Sequence, residues 1–265
     1  MNKKIILGLL LVTICVATFS CKKSKTSTTD PTLNYFPIKF GHYVTYSVDS
    51  VYYIGQNGTE SLSSGPIDTC VKVEIKSQMK YAIDDTFRDA SDRLSYIMDV
   101  YTRPYDGGFW IGSYVILITP TQTTITNLAD PITQSLLYTQ DGTRYVKLMF
   151  PISNGFSWQG NQYAQVNNPT FSYLKNWNYT YKNYHLSYFN GQINFDNTVT
   201  VLEDDENVNY PNVDSGVAGY RTFAEEVYAY NVGMVYKEWT HYTWNANDAG
   251  CWNGYSVIMR AIDYN

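Results

Sequence analysis

The sequence predicts an all-β protein: a meandering antiparallel sheet curled into a barrel, half-barrel or sandwich, with little helix. Three observations predict it. Apolar and polar residues alternate with period two through most of the chain, as in half-buried strands. Tyrosine is abundant, 26 against 11 phenylalanines, and tyrosine joins strand propensity to a polar tip that suits sheet faces. Turn pairs such as Asp106-Gly107-Gly108, Asn154-Gly155 and Asn190-Gly191 punctuate the alternating runs at short intervals.

Taken in order, residues 42–53 alternate well enough for a long first strand. Asn57-Gly58 and Ser64-Gly65-Pro66 mark the turn after it, and residues 68–78 return as the second. Further strands are expected at 94–103, 114–119, 123–127, 145–150, 171–181, 185–189, 197–202, 226–230, 234–242 and 255–262. Helix signal is confined to Asp130-Pro131 and the residues up to Leu137, with Asp130 as N-cap and Pro131 at the first helical position. Phe223, Val227 and Tyr230 have helical spacing, yet the β-rich run after Gly233 favours a hairpin through Asn231-Val232-Gly233. No fixed-period repeat is present, which argues against a propeller or solenoid.

The N-terminus carries the most specific signal. Lys3 and Lys4 precede an apolar run over residues 5–19, which ends at Ser20-Cys21. As a helix that run reaches roughly 22 Å, short of the roughly 30 Å hydrocarbon core, so it reads as a secretory signal rather than a span. The stretch resembles the lipobox of bacterial lipoproteins, with Thr18 where leucine is usual. The resemblance implies cleavage before Cys21 and acylation of its thiol, and stable anchoring needs at least two acyl chains. Residues 21–33 are rich in Lys, Ser and Thr and read as a flexible tether. Residues 34–265 read as one all-β domain. The resemblance to lipoproteins implies that a basic tether, with no acidic export signal after Cys21, permits delivery to the outer membrane, so the periplasmic face is expected first and the cell surface second.

Charge and cysteine content narrow the field. The chain carries −5 at pH 7, and removing residues 1–20 with their two lysines leaves −7. Residues 34–265 hold 14 basic and 23 acidic side chains, which excludes a nucleic-acid footprint. Of four cysteines, Cys15 leaves with the signal and Cys21 takes lipid. Cys70 and Cys251 remain, an even pair for an oxidising compartment, and a disulfide between them is expected.

Several stretches resemble a family of uncharacterised Gram-negative envelope lipoproteins. They are the opening Tyr35-Phe36-Pro37-Ile38-Lys39-Phe40-Gly41 with Tyr43 and Tyr46, and Ser157-Trp158-Gln159-Gly160-Asn161. Val146-Lys147-Leu148-Met149-Phe150-Pro151-Ile152 before that stretch, Thr198-Val199-Thr200-Val201, Glu226-Val227-Tyr228-Ala229 followed by Val232-Gly233-Met234-Val235-Tyr236-Lys237-Glu238, and the closing Ile262-Asp263-Tyr264-Asn265 complete the set. Tyr43 stands where that family's opening has tryptophan. The resemblance spans nearly the whole mature chain. It implies an all-β fold and carries no activity.

Candidate chemistry is sparse. Asp84-Asp85, Glu203-Asp204-Asp205-Glu206 and Glu225-Glu226 are the paired carboxylates a glycosidase would need. Adjacent strand residues face opposite ways, so Glu225 and Glu226 are poor partners for each other, and acidic turns are the plainer reading. The 203–206 run lacks the pattern of an EF-hand loop. His42, His185 and His241 stand singly with no metal-ligand spacing, and no metal or cofactor is expected. Asp49-Ser50-Val51 resembles a short O-glycosylation sequon. Trp110, Trp158, Asn161 and Trp252, beside glycines and amides, are the candidate ligand-binding residues, able to stack on a sugar or anchor a partner. The expected function is non-catalytic binding of a protein, glycan or lipid from a membrane anchor. A glycan-directed hydrolase using an Asp/Glu pair and a hydrophobic-ligand carrier are the alternatives.

Overall fold

A computed structural model describes residues 34–55, 70–121, 124–128, 144–163, 169–175, 177–210, 219–244 and 252–265. Cys21, Cys251 and the helical signal at 130–137 lie outside them. Among the described residues the chain is all-β, with one short 3-10 helix at Pro169–Leu174. The strands are β1 (Tyr43–Gly55), β2 (Cys70–Arg88), β3 (Leu94–Pro104), β4 (Ile111–Pro120), β5 (Thr124–Leu128) and β6 (Arg144–Met149). The second half holds β7 (Ser157–Gln159), β8 (Asn178–Phe189), β9 (Asn194–Val208), β10 (Gly219–Ala229), β11 (Gly233–Trp244) and β12 (Trp252–Tyr264).

All twelve form one antiparallel sheet in the order β6-β5-β4-β3-β2-β1-β12-β11-β10-β9-β8-β7. Every sequence-adjacent pair of strands except β6 and β7 is hydrogen-bonded, and β1 closes onto β12. The first and last strands therefore form the middle of the sheet. A meander needs only tight turns, and the turn residues occupy the backbone they suit: Asn231, Gly191, Gly155, Gly107 and Gly108 all have positive φ.

The sheet curls until its ends meet. The Val146 amide of β6 donates to the Gly160 carbonyl beside β7 at 2.8 Å. The Tyr181 hydroxyl of β8 donates to the Met149 carbonyl and accepts from the Met149 amide, each at 2.9 Å. The core fills the enclosed side. Val44, Tyr46 and Val48 of β1, Ile116 and Ile118 of β4, Val199 and Val201 of β9, and Met259 and Ala261 of β12 are all buried. This alternation is the period of two seen in the sequence.

Three elements differ from expectation. Residues 171–181 do not form one strand: Pro169–Leu174 is a 3-10 turn that brings Tyr173 against His241, and β8 starts only at Asn178. The Trp177 indole donates to the Tyr173 carbonyl at 2.7 Å, which holds the turn folded. Second, β8 runs through residues 183–185 as one strand, because Asn183 and His185 take positive φ and kink it without ending it. Third, β7 lies where no strand is expected, three residues long and thus below the length at which alternation shows.

Candidate functional site

Two places gather polar side chains: a charged cluster inside the curl and a groove on its outer face. The cluster is built from neighbouring strands of one half and β6 of the other. Lys147 (β6) places its Nζ 2.5 Å from Glu203 Oε1 and 2.7 Å from Glu226 Oε1. Lys237 (β11) contacts the same Glu226 oxygen at 3.0 Å, and the Tyr228 hydroxyl donates to Glu226 Oε2 at 2.5 Å. All four charged residues are at most 3% exposed.

A β-bulge creates this arrangement. Leu202 pairs with Glu225 and Asp204 with Ala224, leaving Glu203 as the extra residue. Ala224 and Glu226 share the inner face of β10, so Asp204 also turns inward, and Glu203 follows Val199 and Val201 into the core. The acidic run 203–206 is thus strand rather than turn, and two of its four carboxyls face the interior.

Electrostatics splits the two glutamates. Burial, with the Glu226 charge beside it, pushes Glu203 up to about 7 despite Lys147. Burial raises Glu226 too, but Lys147, Lys237 and the hydrogen bonds to it outweigh that and hold its carboxyl well below the usual range. Asp204 is pushed up to about 7 by burial and by Glu206, and its Oδ2 is buried with no hydrogen-bond partner. A split pair of carboxyls within roughly 5 Å of each other is the arrangement of a retaining glycosidase. The adjoining cavity decides against that chemistry. It measures about 50 Å³ and is lined by Lys147, Glu226, Lys237, Tyr46 and apolar Met98 and Ile116. That admits water but no sugar ring and no acyl chain.

The outer groove is larger, about 270 Å³, and lies on the opposite face of β12, β1, β2 and β3. Register aligns its side chains in two cross-strand rows. Asp263, Thr45, Lys80 and Tyr101 form one, and Ser47, Gln78 and Arg103 the next. A bulge at Thr45/Tyr46 adds Ile262 beside Asp263. Thr45, only 5% exposed, forms the floor. Arg103 Nε donates to Gln78 Oε1 at 2.8 Å, and the guanidinium lies 4.2 Å from the Trp110 ring centroid. The Gly107-Gly108 turn, with φ of 107° and 115°, brings Trp110 back over β3; side-chained residues rarely adopt that backbone. Lys80 Nζ sits 4.4 Å from the Tyr43 ring, whose hydroxyl donates to Asp263 at 3.1 Å. Among the described residues neither Arg103 nor Lys80 forms an ion pair, and neither terminal nitrogen of Arg103 has a hydrogen-bond partner.

The four candidate binding residues from the sequence do not meet. Trp110 alone lines the groove. Trp158 is buried, with its indole donating to the Val146 carbonyl at 2.8 Å. Asn161 is buried, donating to the Leu174 carbonyl and accepting from the Tyr179 hydroxyl. Trp252 starts β12 and meets Tyr210 edge-on at 5.0 Å. Cys70 opens β2, and the proposed Cys70–Cys251 bridge falls outside the described residues. The three histidines are dispersed. His42 bonds the Val232 carbonyl, His185 bonds Asn197, and His241 bonds Thr222 while stacking on Tyr173. No metal-binding group of side chains occurs among the described residues.

Sequence reasoning missed Lys147, Lys237, Lys80 and Arg103. The signal for the first was present: Lys147 interrupts the apolar run Val146-Lys147-Leu148-Met149-Phe150 at a place where a charge must find a partner. Lys80 and Arg103 gave none, since exposed-face cations in strands are ordinary.

No protein-family model matches the chain, and no curated protein matches it. Two solved structures are similar along most of its length. One is a Bacteroides fragilis protein described as exported with a YmcC-like fold, 12% identical, with a TM-score of 0.33 over 86% of this chain and 98% of that one. The other is a Parabacteroides distasonis protein described as a lipoprotein, 13% identical, with a TM-score of 0.30 over 87% of this chain and 98% of that one. Both likenesses are remote in sequence and in backbone.

Proposed function

We propose that this chain is a membrane-tethered, non-catalytic glycan-binding module of the cell envelope, anchored through Cys21 and binding its ligand in the outer groove. One observation carries the reading. Glu203 and Glu226, the carboxyl pair buried inside the curl, lie against lysines beside a cavity too small for a substrate. The recessed polar surface instead sits outside, where Gln78 positions Arg103, which has no ion-pair partner among the described residues. A hydrophobic-ligand carrier would need an interior of several hundred Å³, and the core fills that space with side chains.

The test is incubation of the full mature lipoprotein, in detergent, with immobilised envelope polysaccharide. Retention on the polysaccharide without new reducing ends is the expected result. Release of reducing ends that stops in Glu203→Gln would establish the hydrolase instead.

A further inference from the structure

We infer that the outer groove is a receptor for a carboxylate-bearing sugar, a uronic acid residue within a polysaccharide, with Arg103 and Lys80 taking the carboxylate. The inference rests on the binding-module reading above and names its ligand.

The chemistry follows from what Arg103 lacks. A guanidinium offers five N–H donors in a planar fork. Here Nε is used by Gln78, and the guanidinium lies over the Trp110 ring. These contacts hold the group and leave its two terminal nitrogens without a hydrogen-bond partner among the described residues, a shape that matches both oxygens of a carboxylate. Preorganisation matters because the entropy of ordering the side chain is met before the ligand arrives. Lys80 adds a second cation, held over the Tyr43 ring rather than against a carboxylate. Together the two cations give one end of the groove a local positive charge suited to an anion.

The rest of the lining selects a sugar over other carboxylates. Gln78 and the recessed Thr45 hydroxyl supply donors and acceptors for hydroxyl groups, and Ile262 is the one aliphatic side chain. A peptide C-terminus would want an apolar pocket for its last side chain, and the groove's lining is mostly polar and aromatic. Asp263, with one oxygen bonded to Tyr43, stands at the far end of the upper row and can accept from a ring hydroxyl while repelling a second carboxylate. The 270 Å³ volume falls just under the roughly 300 Å³ lower bound of drug-sized pockets, which suits one or two sugar rings. Phe109, 93% exposed beside Trp110, offers a further ring along the path of a longer chain.

The experiment is calorimetric titration of the full mature lipoprotein, in detergent, with four probes: trigalacturonate, its methyl ester, acetate, and a tripeptide with a free carboxyl terminus. Trigalacturonate is expected to bind, with the ester at least tenfold weaker and acetate and tripeptide weaker still. Arg103→Gln and Lys80→Gln should each weaken trigalacturonate at least fivefold with unchanged melting temperature. Arg221→Gln, which removes the same charge from the outer face of β10, should leave affinity unaltered. Equal binding of acid and ester would overturn the carboxylate assignment while leaving glycan binding intact. Tripeptide binding as tight as trigalacturonate would overturn the sugar. Binding of no probe overturns this inference, and retention on envelope polysaccharide then shows separately whether the module reading survives.

Discussion

Glu203 and Glu226 share one ammonium: Lys147 Nζ lies 2.5 Å from the first carboxylate and 2.7 Å from the second, bridging β6 to β9 and β10 across the interior. The strand β6 has β5 as its ladder partner and reaches the far half of the sheet through few polar contacts. A buried ion network of this kind gives little net stability over an apolar filling, yet it is costly to break on one side.

Lys147→Met is therefore expected to destabilise the protein by about 3–5 kcal/mol, because two carboxyls lose their shared counter-charge. Adding Glu203→Leu to that variant should restore part of the loss by removing one orphaned acid. Urea unfolding of the three proteins checks this. A single variant as stable as the parent would mean that the network does not hold the two halves together.

Stability should also fall on both sides of mildly acidic pH. Glu203 and Asp204 bind protons more tightly when folded, both at about 7, so their contribution is complete below their ordinary values near 4 and is lost as pH rises through 7. Glu226 is held low, and burial holds His241 down to about 4. Their contributions are present above the unfolded values and fade on acidification. Asp204→Asn isolates one limb: its stability relative to the parent should grow as pH rises from 4 to 7 and then level off. A pH-independent difference in urea midpoint would refute the assignment.

The Ser157-Trp158-Gln159-Gly160-Asn161 stretch should respond as a clamp on the sheet ends. Its Trp158 donates a buried hydrogen bond across the seam to Val146, Asn161 accepts one from Tyr179 of β8, and a Cβ on Gly160 would run into the ring of Tyr179. Gly160→Ala is expected to cost about 1–3 kcal/mol through overpacking. Asn161→Ala should cost about 1–3 kcal/mol by removing the buried acceptor of the Tyr179 hydroxyl and the donor to the Leu174 carbonyl. Neither should alter trigalacturonate affinity, since neither touches the groove. Calorimetry of folded variants reads the two effects separately.

Cys21→Ser should move the protein from the membrane to the soluble envelope fraction, with the rest of the fold unchanged. Fractionation and the mass of the mature N-terminus check this. An N-terminus without acyl mass in the parent protein would remove the anchor.

Much of the fold was legible because a meander is local. Each strand pairs with its sequence neighbour, so alternation and turn residues nearly suffice, and the hairpin at Asn231-Val232-Gly233 forms where those residues ask for it. The stretch 171–181 misled because its aromatic richness suits a strand, while the bond from the Trp177 indole to the Tyr173 carbonyl holds half of it in a turn. The site was less legible for the same physical reason. Trp110 was visible as a loop aromatic, but its partner Arg103 becomes informative only once Gln78 and Trp110 fix it.

By itself the sequence determined the fold class, the tyrosine-lined faces, the position of most turns and the lipoprotein-like signal at Cys21. These depend on periodicity and on short contiguous motifs. Only the tertiary structure decided that β1 pairs with β12, that the two ends of the sheet meet, and which charges face inward. A single bulge at Glu203 shifts the side-chain phase of β9 by one residue, and pairing between strands some 200 residues apart depends on register. Alternation along one strand carries neither.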